Sequence, residues 1–189
     1  MREQFVGKEQ YMKALITGAS SGIGRDMARV LAAMDVDLIL VARRGERLRD
    51  LQKELRVPVQ IIVLDVSVKE NCLALHQRLR DESIDILINN AGFGDFGEFP
   101  QTDLDKELEM INTNIRAVHI LSKLFLRDFV KKDSGYILNV ASSAAFLPGP
   151  LMATYYATKA YVQRLTLAMR KELQKHNSHV SVSVLCPGP

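Results

Sequence analysis

The chain is poor in cysteine and histidine, has no apolar run approaching a membrane span, and carries little net charge. Cys72 and Cys186 stand far apart and match no metal or redox spacing. They are expected to be reduced thiols of a cytoplasmic protein. Of the four histidines, His176 and His179 share a polar stretch at a helix end, which reads as solvated surface and not as a metal site. No apolar run reaches about 18 residues, so no membrane span is expected. Residues 1–10 lack the apolar core of a secretory signal, and Met12 stands where a native start could lie. Net charge is +3, with 25 Lys and Arg against 22 Asp and Glu. The two signs interleave along the chain, so no basic tail or stripe points to nucleic acid. What is abundant is apolar residue: 47% of the 189 positions, enough to bury one sizeable core.

The apolar residues alternate between two patterns. Short runs occur at 14–17, 36–42, 59–64, 84–89, 136–140 and 180–186, and read as strands. Between them lie stretches with apolar residues three or four apart, which read as helices. Examples are Met27, Val30, Leu31 and Met34; Leu48, Leu51 and Leu55; Leu73, Leu75 and Leu79; and Val118, Leu121, Leu124 and Phe125. Strand alternating with helix implies βαβ units and a parallel sheet covered on both faces. Right-handed crossovers then give an α/β, doubly wound sheet of the Rossmann type. No internal repeat, low-complexity tract or linker divides the chain, so 1–189 is expected to be a single domain.

The candidate chemistry lies in the loops after the strands. The first run enters Thr17-Gly-Ala-Ser-Ser-Gly-Ile-Gly24, directly before a helical stretch. Gly18, Gly22 and Gly24 permit a tight turn, so that the backbone of Ser20, Ser21 and Ile23 can approach a pyrophosphate at the positive end of the helix. An ordinary glycine-rich turn is the plainer reading. The spacing is Gly-x-x-x-Gly-x-Gly, not the commoner Gly-x-Gly-x-x-Gly. The second run ends at Arg43 and Arg44, where an acid would favour a ribose 2′-hydroxyl and arginine a 2′-phosphate. NADP(H) is therefore favoured over NAD(H), unless the arginines are merely solvated. After the third run, Asp65 and Val66 stand where a carboxylate could accept from an adenine amino group, although Asp65 or Ser67 would also serve as a helix N-cap. The fourth run ends Asn89-Asn90-Ala91-Gly92-Phe93. Those amides could meet a ligand at the sheet edge or tie neighbouring strands together.

Tyr155 and Lys159 stand four apart at the start of a predicted helix, which puts a phenol and an ammonium on one face. A fixed positive charge favours the phenolate and suits the tyrosine to acid/base work. Such a pair also arises by chance. Ser142 lies 13 residues before Tyr155, after the fifth strand, and could donate to a substrate oxygen or bond only locally within its turn.

Together these motifs resemble the short-chain dehydrogenase/reductase family over essentially the whole chain. The resemblance rests on Thr-Gly-x-x-x-Gly-x-Gly at 17–24, Asn-Asn-Ala-Gly at 89–92, Ser142, Tyr155-x-x-x-Lys159 and Pro187-Gly188. The glycine spacing departs from the Gly-x-x-Gly-x-x-Gly of the longer epimerase and dehydratase relatives. The details around 141–150 and 155–161 look most like a bacterial branch of general reductases. The resemblance implies direct hydride transfer between nicotinamide C4 and a carbonyl carbon, with no metal. Tyr155 would be proton donor in reduction and base in oxidation. Lys159 would bind the nicotinamide ribose and favour the phenolate, and Ser142 would orient and polarise the substrate oxygen. Asn114, preferred over Asn112, would help hold a water for proton relay. Pro187 and Gly188 would complete the cofactor face.

A homodimer or homotetramer is implied through the helices of Asn114, Phe125 and Tyr161. Phe93, Phe96, Phe146 and Leu147 suggest an apolar substrate site, or core, or interface. Family members continue past Pro187-Gly188 with a mobile substrate loop, a helix and a seventh strand. The resemblance therefore implies a chain ending at Pro189 without most of the substrate pocket. A dinucleotide-binding sensor without catalysis is the competing expectation.

Overall fold

Each of the six apolar runs forms a strand in the computed structural model, which describes residues 12–188. Residues 1–10, read above as lacking a signal, lie with Tyr11 and Pro189 outside the described residues. The strands are β1 (Lys13–Thr17), β2 (Asp37–Ala42), β3 (Val59–Val63), β4 (Ile86–Asn89), β5 (Tyr136–Val140) and β6 (Ser181–Leu185). All pair in parallel, in the order β3-β2-β1-β4-β5-β6. Helices α1 (Gly22–Ala32), α2 (Gly45–Glu54), α3 (Lys69–Arg78), α4 (Leu104–Ile111), α5 (Val118–Lys132) and α6 (Ala153–Lys175) make the crossovers. This is the expected Rossmann-type α/β fold.

The central strands are buried on both faces, which is why they read as unbroken apolar runs. Alternate residues feed two cores. Leu15, Ile39, Leu87, Ile137 and Val182 pack with residues of α3, α5 and α6. Ala14, Ile16, Leu38, Leu40 and Ile88 pack with residues of α1 and α2. The α2 and α5 stripes face the core largely as expected, since Leu48, Leu51, Val118, Leu121 and Phe125 are buried. Two other stripes are borne out in part. Val30 and Met34 are exposed, while Met27 and Leu31 pack partly buried against the core beside the buried Gly24 and Ala28. Leu73 is exposed, while Cys72, Leu75 and Leu79 point inward. In both cases a small residue is buried, and an apolar neighbour one or two positions away is left to solvent.

Two irregular segments shape the site. Between α4 and α5 the helix continues through one π-helical turn, Asn112–Ala117, which contains the buried Asn114. Such turns inside α-helices occur often at functional sites. After β5 the chain makes a short 3₁₀ turn, Ser143–Phe146, capped by the Ser142 hydroxyl.

Candidate functional site

β1 and β4 are neighbours, but the chain leaves them toward opposite edges of the sheet. Their following loops diverge and open a crevice at the carboxyl ends of the strands. It forms a cleft of about 790 Å³.

One wall is the glycine loop. Gly18 and Gly22 have φ of +67° and +53°, conformations that glycine adopts without strain. A Cβ on Gly18 would also stand 2.7 Å from Ala91 Cα, against backbone that cannot yield. Gly18, Ser20, Ser21, Gly22 and Ile23 line the cleft. Gly24 does not: a Cβ there would strike the Asn90 amide and sit 2.6 Å from Gly18 O. Its place is in close packing of helix on loop. Ser21 occupies the N-cap of α1 without a side-chain capping bond, and the first turn holds no acid. The leading N–H groups and the positive helix end thus lack an anionic partner from the helix itself.

Arg43, Arg44, Asp65 and Val66 close the far end of the same cleft. Arg44 lies on the glycine loop, its Nη2 donating to Ser20 Oγ at 3.0 Å and Ser21 Oγ at 2.7 Å. Arg43 instead meets carboxylates: Glu109 Oε1 at 2.8 Å and Asp65 Oδ2 at 3.7 Å. Asp65 Oδ1 accepts from Ser67 N at 2.9 Å. The helix-cap reading of Asp65 or Ser67 is corrected here, because α3 begins later, with Val68 at its N-cap. Uncapped N–H groups, glycine backbone and paired guanidinium groups supply the donors that a dinucleotide's phosphates require.

The asparagines after β4 tie the sheet together. Asn90 Nδ2 donates to Thr17 O at 3.1 Å and Gly18 O at 3.2 Å, fixing the glycine loop to β4. Thr17 Oγ1 accepts from the backbone N–H of Asn90 and of Ala91. Asn89 is fully buried and joins Ser122 and Asn139, and Asn139 in turn donates to Thr166. Asn90, Ala91 and Gly92 line the cleft, whereas Asn89 lies beneath it.

Ser142, Tyr155 and Lys159 face the other half of the cleft, with Pro187 and Gly188. Lys159 is 6% exposed, and its Nζ donates to Val140 O at 3.0 Å. Among the described residues it has no carboxylate partner. Burial pushes its ammonium down to about 8 from the usual lysine value. Its Nζ stands 5.7 Å from the centre of the Tyr155 ring. Ser142 Oγ accepts from Ala144 N at 3.1 Å, so its own proton remains free to be donated. The adjacent Ser143 is exposed and does not line the cleft.

Asn114 is 1% exposed and reaches the site from behind. Its Oδ1 accepts from Phe93 N, and its Nδ2 donates to Phe93 O and Thr158 Oγ1. The amide is therefore committed to holding the loop after β4 against α6. A Cβ on Gly92 would lie 3.0 Å from Asn114 Oδ1 and 3.4 Å from Lys159 Nζ, so only glycine leaves this corner relaxed.

Sequence reasoning overlooked Gly94, Thr113 and Met152 in the cleft, and Thr158 behind it. Gly94 makes room beside Tyr155, whose ring carbon would meet a Cβ there at 3.2 Å. Its glycine was the available signal; Thr113 and Met152 carry none. Phe93 lines the cleft, while Phe96, Phe146 and Leu147 are exposed and stand apart from its lining.

The short chain dehydrogenase family model matches residues 12–189. An uncharacterised oxidoreductase of Staphylococcus epidermidis is 33% identical over 177 residues, 93% of this chain and 76% of its own. The human inactive hydroxysteroid dehydrogenase-like protein 1 is 33% identical over 168 residues, covering 84% of this chain but 50% of its own length. Among solved structures, a short-chain dehydrogenase from Sphingobium yanoikuyae in complex with NADPH superposes with a TM-score of 0.86 at 35% identity. It covers 94% of this chain and 70% of that one. A short chain dehydrogenase/reductase from Burkholderia phymatum in complex with NAD gives a TM-score of 0.89 at 29% identity, over 95% and 66% of the two chains. On sequence and fold together, this chain belongs to the short chain dehydrogenase family of oxidoreductases.

Proposed function

We propose that the protein interconverts a carbonyl and an alcohol with NADP(H), using Tyr155 as general acid and base. The observation that carries this reading is Lys159, a buried cation without an anionic partner among the described residues, beside a tyrosine at the wall of a large cleft. Burying an unpaired charge is costly, and such groups concentrate at functional sites.

The nicotinamide cofactor, when bound, supplies the hydride. The remaining work falls to the chain. The backbone of Gly18, Ser20, Ser21, Gly22 and Ile23 and the end of α1 would hold the pyrophosphate. Asp65, Val66, Asn90, Ala91 and Gly92 would flank the adenosine and ribose, and Pro187 and Gly188 would bound the nicotinamide end. Ser142 donates to the substrate oxygen and fixes its position. In reduction Tyr155 gives that oxygen its proton; in oxidation it takes the proton back. Lys159 holds positive charge beside the phenolate so formed and reaches the nicotinamide ribose. Both Nδ2 hydrogens of Asn114 are used and its Oδ1 accepts from Phe93 N, so its side chain holds the Phe93 loop and α6 in register. One Oδ1 lone pair is left for a relay water.

Arg43 and Arg44, with Ser20, favour a 2′-phosphate and hence NADP(H). Titration with both reduced cofactors tests this: NADPH should bind more tightly than NADH. Tighter binding of NADH would refute the assignment. Oxidation of NADPH across a panel of small carbonyl compounds tests the reaction. NADPH binding without turnover on any of them would instead favour a dinucleotide-binding sensor, a reading to which the name of the inactive human relative lends weight.

The proposed setting is a cytoplasmic homodimer or homotetramer with a small-molecule substrate and neither nucleic acid nor membrane as partner. No helix among the described residues is long and apolar enough to cross a membrane. Phe125 lies in the core, so contacts between copies would use exposed faces such as Tyr161 and Leu167 on α6.

A further inference from the structure

The two arginines at the adenosine end differ in their partners. Arg44 is held by neutral hydroxyls, those of Ser20 and Ser21, and among the described residues it has no carboxylate partner. Arg43 makes a direct ion pair with Glu109 at 2.8 Å and stands 3.7 Å from Asp65. Glu109 reaches it from α4, 66 residues along the chain, and is not itself part of the cleft lining.

Glu109 and Asp65 both meet Arg43 at Nη1, so a 2′-phosphate bound by this arginine would compete with the Glu109 carboxylate for that nitrogen. It would also meet that carboxylate's negative charge at short range. An ion pair this exposed contributes little to the fold, so its main consequence is for whatever else Arg43 can bind.

We infer that Glu109 sets the cofactor preference of this site, by occupying Arg43 and weakening its hold on a 2′-phosphate. Glu109 acts through Arg43 and is a positioning residue. The inference rests on the proposed cofactor reading. It implies that Arg44 is the constant anchor and Arg43 the tunable one, so the preference for NADP(H) is smaller than two arginines alone would give.

Calorimetric titration of the whole protein with adenosine 2′,5′-bisphosphate and with AMP tests this without any turnover. Glu109→Gln should bind the bisphosphate about three- to tenfold more tightly than the wild type, because one nearby like charge is removed. AMP affinity should not change. In an Arg43→Ala background the same substitution should give a much smaller gain, since the competition is then gone. Unchanged or weaker bisphosphate binding by Glu109→Gln would overturn the inference and leave the cofactor reading standing. A gain equal for bisphosphate and AMP would also overturn it. Failure of the wild type to bind NADPH, NADH or either nucleotide would remove the cofactor reading, and this inference with it.

Discussion

Lys159 is held at a cost to the fold. Its folded value of about 8 lies below the usual lysine value of 10.5. Between these two pH values the unfolded chain binds more protons than the folded one, so stability rises with pH across that window. The full difference is on the order of 3 kcal/mol. Lys159→Met should lose this alkaline gain, seen as a flatter dependence of unfolding free energy on pH between about 8 and 10.5. The same group should shape catalysis in the opposite sense. The kcat/KM for reduction should fall above about pH 8, as the ammonium loses its proton and Tyr155 its charged neighbour. A wild-type profile flat through that region would contradict the role given to Lys159. Gly24 carries a purely steric prediction. Gly24→Ala would press a methyl on Gly18 O and the Asn90 amide, destabilising the protein by about 1–3 kcal/mol in chemical denaturation.

At the scale of elements, α6 is the rod on which Tyr155 and Lys159 are mounted, and the π-helical turn braces it. Asn114→Ala would strip partners from Phe93 N, Phe93 O and Thr158 at once. The expected loss is at least about 2 kcal/mol of stability, with catalysis reduced further as the Phe93 loop loosens; unchanged thermal unfolding would show that the brace is not needed. A second joint lies where α5 ends. Asp133 accepts from Ser178 Oγ, His179 N and His179 Nδ1, tying that end to the start of β6. The His179 side-chain and backbone donors hold its carboxyl down at about 2. A depressed carboxyl stabilises above its unfolded value and loses that contribution as pH falls toward the folded one. Asp133→Asn should therefore melt at a lower temperature than the wild type at neutral pH, with the gap narrowing toward pH 2.

These elements also show what the sequence could reveal. Central strands buried on both faces leave unbroken apolar runs, and the half-exposed edge strands β3 and β6 keep enough apolar residues that all six were legible to within a residue or two. The helix faces of α1 and α3 were read too wide. Met27, Leu31, Leu75 and Leu79 pack inward as expected, while Val30, Met34 and Leu73 are exposed. The buried Gly24, Ala28 and Cys72 went unread, because small residues add little to an apolar pattern. Much of the cleft lining was legible because the loops that form it follow the ends of strands, where local order suffices. The Glu109–Arg43 pair and the Asn114 brace were not, since they join residues that only the folded chain brings together.

For the whole molecule, a cofactor that binds only the folded state should raise the melting temperature with its concentration, by the equivalent of about 2.7 kcal/mol at a hundredfold excess over Kd. NADPH should produce the larger shift and NADH the smaller. The claim on which the rest depends is that Tyr155 moves the proton. It is tested most directly by comparing NADPH oxidation by wild type and Tyr155→Phe on the best substrate found in a carbonyl panel, with NADPH affinity measured in parallel. The account predicts a loss of at least about a hundredfold in turnover with cofactor binding retained; equal turnover by Tyr155→Phe would contradict it.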